Sequence, residues 1–182
     1  MKHLLLILKL VVLAYLGYLV WFFIITDGPA APGYNPPFLL WVMDTINLFI
    51  HEAGHFFFKP FGMWIHILGG SFVQCLLPLL LAVVTWKQNV SHVAYPAFWL
   101  GENLINVSYY IQDAPNRKLK LIAAGLIHDW NWLLSGNLYA AESIGTVVWV
   151  FGFVVCLSAV GAGGWFAMQA FRECADDVEM EN

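Results

Sequence analysis

Six apolar stretches, separated by short polar or proline-rich breaks, run along the chain at residues 4–26, 38–58, 72–86, 93–111, 119–134 and 144–171. A membrane-crossing helix needs roughly 20 apolar residues, because the hydrocarbon core is about 30 Å thick and each helical residue rises about 1.5 Å. The third and fifth stretches are short by that measure and the last is long. The pattern predicts an all-α integral membrane protein of about six transmembrane helices, forming a single membrane domain over residues 1–182.

The breaks have physical causes. Residues 27–37 contain four prolines and two glycines; prolines lack a donor and fix φ, so this stretch is a loop. Lys59-Pro60, Lys87-Gln88-Asn89 and Pro115-Asn116-Arg117-Lys118 separate later stretches. Residues 61–70 are bounded by glycine and rich in aromatic and β-branched side chains, which predicts a short extended hairpin. His66, within it, reads as a structural or interfacial residue.

Composition reinforces the membrane reading: 60% of the 182 residues are hydrophobic and 11% charged, too few charges to cover a soluble surface. A net charge of -4 with no basic cluster argues against nucleic acid as a partner. The three cysteines, at 75, 156 and 174, are too scattered for a disulfide framework. Six crossings place both termini on one side, with Lys2, Lys59, Arg117, Lys118, Lys120 and Arg172 on that side and Lys87 opposite. The positive-inside rule makes that side cytoplasmic. Residues 173–182 then form an acidic cytoplasmic tail.

One apolar stretch contains three ionisable side chains within five residues: His51-Glu52-Ala53-Gly54-His55, bracketed by Leu48-Phe49-Ile50 and Phe56-Phe57-Phe58. On a helix, positions i and i+4 share a face, so His51 and His55 offer two imidazoles to one zinc ion. Glu52 stands where a general base can take a proton from an attacking water. Facing lipid, each of these groups would cost several kcal/mol, whereas metal ligation or a polar cavity removes that cost. Asp44 and Asn47 extend the same polar stripe, as cavity lining or as interhelical hydrogen-bonding groups.

A catalytic zinc needs a third protein ligand from elsewhere. Residues 93–111 and their flank supply Glu102, Asn103, Asn106 and Asp113, and residues 119–134 supply His128 and Asp129. Depth along the helices leaves both sets open.

The order of elements over residues 38–114 resembles the site-2 protease family of intramembrane zinc metallopeptidases. The resemblance covers His-Glu-x-Gly-His on a membrane helix, Phe61-Gly62 leading to Gly69-Gly70, a following segment with Pro78, and Asn106 with Asp113 near one interface. It implies a metallopeptidase-like core at 38–114, one zinc per chain, Glu52 as the catalytic base, and Asp113 as the third ligand beside His51 and His55. His128 or Asp129 is the alternative third ligand. It also implies hydrolysis of peptide bonds in membrane-spanning protein or peptide substrates, added as a strand near Trp64 to Leu68. Substrate choice then falls to the helices, the loops or a regulatory membrane partner. The competing expectation is a non-catalytic zinc-binding membrane scaffold.

Overall fold

Long apolar runs become long helices. The computed structural model describes residues 2–119, 121 and 125–180, with side chains described from 4 to 172 within those limits. Its helices are α1 (Lys2–Ile25), α2 (Phe38–Phe58), α3 (Met63–Gln88), α4 (Ala94–Asp113), α5 (Asp129–Leu133) and α6 (Ala140–Met180), with single 3-10 turns at Lys59–Phe61 and Val90–His92. Among the described residues there is no strand. The acidic tail's side chains, 173–182, lie outside the described residues.

α1, α3 and α6 are each long and apolar enough to cross a membrane. α2 and α4 have spanning length, at 21 and 20 residues, but their sequences are diluted by polar groups. Those groups are turned inward: Asn47, Glu102, Asn103, Ser108 and Asp113 are buried, while Phe49, Phe56 and Phe57 of α2 are exposed.

Two expectations from sequence are revised. Residues 61–70 are not a hairpin. Gly62, at φ +93°, makes the turn, and the helix begins at Met63. Gly69 and Gly70 are contact points rather than turn residues. A Cβ on Gly54 would strike the Gly69 carbonyl, and a Cβ on Gly69 would lie 2.8 Å from Cβ of Phe58; missing side chains let α2 and α3 pack at backbone distance. Residues 119–134 are not a spanning helix either. Of the described residues there, only Asp129–Leu133 is helical.

Neighbouring contacts fix the helix directions. α3 is antiparallel to α2, through Gly54 on Gly69 and His51 on Gln74. It is also antiparallel to α4, where Gln74 meets Asn106 and Ala82 and Val83 share a cavity wall with Ala94 and Ala97. α6 is antiparallel to α4: Gly145 lies on Gln112, Gly152 on Gly101, and Gly163 beside Ala94. α1 is antiparallel to α6, with Leu13 on Gly163 and Leu6 in a cluster with Ala167.

α1 and α2 therefore run in the same direction. Two contacts agree with this: Tyr15 packs against the core cluster that holds Leu40 at the start of α2, whereas Gly28, just past α1, packs against Tyr109 near the end of α4. The proline-rich connection doubles back between these levels, tucking Tyr34 against Phe22. As a result, the start of α1 and the far part of α6 share one end of the bundle with Lys87. Lys59, Arg117 and Lys118 lie at the other.

Candidate metal centre

The helical stagger of α2 brings His51 and His55 onto the face that meets α3. Their Nε2 atoms are 3.1 Å apart. Oδ2 of Asp129 completes a triangle, 2.8 Å from Nε2 of His51 and 3.2 Å from Nε2 of His55. Among the described residues, His51, His55 and Asp129 form a group able to hold a metal ion. Gly70 makes the room, because a Cβ there would lie 2.6 and 2.7 Å from the two Nε2 atoms.

The far side of each imidazole is also engaged. Nδ1 of His51 faces Oε1 of Gln74 at 3.0 Å, and Nδ1 of His55 faces the His66 carbonyl at 2.8 Å. The His66 carbonyl can only accept, so Nδ1 of His55 donates to it; Oε1 of Gln74 favours a proton on Nδ1 of His51, and with both Nδ1 atoms protonated each neutral ring would direct a lone pair from Nε2 into the cluster. Two such lone pairs and a carboxylate oxygen at one point repel one another unless a cation stands between them. The donor set, two imidazoles and a carboxylate, suits zinc. Zinc ligands at about 2.0–2.1 Å on a tetrahedron sit about 3.3 Å apart, within a few tenths of an ångström of the longer two separations here.

Asp129 reaches this position through its neighbours. His128 precedes α5 as its N-cap, accepting at Nδ1 from the Asn131 amide at 3.3 Å. Its Nε2 then donates to Oδ2 of Asp113, 3.3 Å away. The Asn131 side chain donates to the Ala114 carbonyl, and Trp130 Nε1 donates to the Ser71 hydroxyl on α3. The short helix is thereby pinned between the end of α4 and the middle of α3.

Asp113, the ligand favoured by the resemblance, is engaged elsewhere. Its two carboxylate oxygens accept from the Lys118 and Leu119 amides at 2.9 Å each, and from His128. The structure brings the alternative, Asp129, to the histidines instead. His66 is structural as expected: its carbonyl orients His55, and its own Nδ1 donates to the His55 carbonyl at 2.8 Å.

A cavity of about 870 Å³ opens onto the cluster and is lined by His51, Glu52, His55, Asp44, Tyr110 and Asp129, among others. Pro29, Tyr34 and Pro36 of the returning loop form part of its wall. Gln74 was not singled out from sequence, and Gly70 was read only as the boundary of the expected hairpin. The available signal for Gln74 was a lone amide in the apolar run from residue 67 to 84, a costly group unless it is bonded.

Among the described residues, fold and site together define an all-helical arrangement with three helices long and apolar enough to cross a membrane and a His-His-Asp cluster in an internal cavity. No protein-family model matches the chain, and neither a curated protein nor a solved structure matches it.

Proposed function

We propose that this chain is an integral membrane zinc metallopeptidase that hydrolyses peptide bonds in membrane-spanning substrates. The observation that carries the reading is the convergence of Nε2 of His51, Nε2 of His55 and Oδ2 of Asp129, with both imidazoles oriented from behind. His51, His55 and Asp129 would hold the metal, leaving a position open toward the cavity. Zinc bound there would lower the pKa of a water and polarise the scissile carbonyl. Glu52, next to His51 and on the cavity wall, takes the proton from the attacking water and passes it to the leaving amide nitrogen. The surrounding helices limit bulk water around the reacting groups, which strengthens the electrostatic interactions between them.

The same proposal places the chain across the bilayer several times. α1, α3 and α6 cross by composition; α2 and α4 cross with their polar faces against each other and against the cavity. Residues 26–37 return beside them, sheltered by Phe22 and Tyr109. Both termini then share a side, as the six-crossing pattern also implied, but by a different path. Lys2, Lys9, Lys87 and Arg172 belong to that end, while Lys59, Arg117, Lys118 and, by sequence, Lys120 belong to the other. With basic residues evenly divided, charge no longer selects the cytoplasmic side.

The test compares wild type with Glu52→Gln, both purified with zinc and both folded, on a panel of membrane-spanning peptides. The reading predicts that Glu52→Gln keeps its zinc and loses at least 100-fold in turnover. Zinc binding without any Glu52-dependent turnover would leave the non-catalytic scaffold as the better account.

A further inference from the structure

A chain of three hydrogen bonds leads away from the metal cluster into the bundle. Nδ1 of His51 lies 3.0 Å from Oε1 of Gln74, Nε2 of Gln74 donates to Oδ1 of Asn106 at 2.9 Å, and Nδ2 of Asn106 donates to Oδ1 of Asp44 at 2.9 Å. A primary amide has one donating and one accepting end, so fixing what one end faces fixes the other. The direction of the whole chain is therefore set wherever one member has no choice.

Asp44 is that member. It is in hydrogen-bond contact with Glu102, which is 1% exposed and whose Oε2 accepts from Asn47 at 2.8 Å and faces Asn103 Nδ2 at 3.4 Å. Two carboxylates approach this closely by sharing a proton. Oδ1 of Asp44 is left to accept, and it does so from Nδ2 of Asn106. Asn106 must turn its NH2 toward Asp44 and its oxygen toward Gln74. Gln74 must then turn its NH2 toward Asn106 and its oxygen toward His51. An imidazole facing that oxygen carries its proton on Nδ1, leaving the Nε2 lone pair aimed at the cluster.

We propose that Asp44 sets the tautomer of His51 through Asn106 and Gln74, acting as a positioning residue for the metal site. The proposal rests on the reading of His51 as a metal ligand. It assigns a purpose to a half-buried acid on the cavity wall that makes no hydrogen bond to the metal cluster or to Glu52. Asp129 opposes the relay in the metal-free protein, since its carboxylate lies 2.8 Å from Nε2 of His51 and would favour a proton there. The tautomer in the absence of metal thus reports which influence prevails.

The experiment is nitrogen-15 NMR of histidine-labelled, metal-free full-length protein in nanodiscs at alkaline pH, with His51 assigned by its loss in His51→Ala. Wild type is expected to show His51 protonated on Nδ1. Asp44→Leu and Gln74→Leu are expected to move the proton to Nε2 and to weaken zinc binding 10–100-fold. Gln74→Glu, which keeps an acceptor in front of Nδ1, is expected to retain the wild-type tautomer. A wild-type His51 protonated on Nε2 overturns the proposal, and so does an unchanged tautomer in both leucine variants. The wild-type spectrum can overturn the proposal even where a variant does not fold. Zinc titration of the same samples separates the two claims: failure to bind zinc counts against the metallopeptidase reading, whereas zinc binding with an Nε2-protonated apo His51 counts against the relay alone.

Discussion

Nε2 of His128 lies 3.3 Å from a carboxylate oxygen of Asp113, and this contact determines which of two nearby acids reaches the histidines of α2. Asp113 is held by that ring and by two backbone amides; Asp129, the residue after His128, is left facing His51 and His55. The imidazole is a strut. His128→Ala is expected to leave the zinc stoichiometry unchanged at saturating metal but to weaken affinity 10–100-fold, as for other groups that orient a ligand. Competition with a chromophoric chelator measures it, and an unchanged affinity would remove His128 from that role.

Close approach of α2 and α3 depends on absent side chains. Gly70→Ala places a methyl group 2.6 to 2.7 Å from both Nε2 atoms, so zinc binding should be lost even if the helices stay paired. Gly54→Ala acts on the packing itself by striking the Gly69 carbonyl, and overpacking of this kind costs about 1–3 kcal/mol. Thermal unfolding in detergent should show a lower midpoint for Gly54→Ala. Normal zinc content in Gly70→Ala would mean that α3 does not lie where the structure puts it.

The parallel course of α1 and α2 gives a topological prediction. In a background with Cys75, Cys156 and Cys174 replaced by serine, Lys2→Cys and Arg172→Cys should react with an impermeant maleimide from the same side of a sealed vesicle. Lys59→Cys should react from the other. Labelling of Lys2→Cys and Lys59→Cys from one side would restore an antiparallel pair and dismiss the returning loop.

Much of this was legible in the sequence where local spacing decides the outcome. His51 and His55 share a face because they are four residues apart on a helix, and Glu52 follows them onto the cavity wall. The helices of residues 38–58 and 93–111 were readable from apolar length alone. The third member of the cluster was read only as an alternative to Asp113, because Asp129 arrives on a five-residue helix whose position depends on Asp113, Ala114 and Ser71, all distant in sequence. The supposed hairpin failed for a related reason: glycines at 69 and 70 resemble turn signals in sequence, yet they serve helix contact. Residues 27–37 were rightly a loop, but their composition is as compatible with doubling back along the bundle as with reversing the chain at its end.

Metal content, measured by mass spectrometry on folded, detergent-purified protein loaded with zinc at saturation, distinguishes Asp129 from Asp113 at the site. The account predicts one zinc per chain in wild type, none in His51→Ala or Asp129→Ala, and one retained in Asp113→Ala. Zinc lost from Asp113→Ala but kept by Asp129→Ala would contradict the site described here.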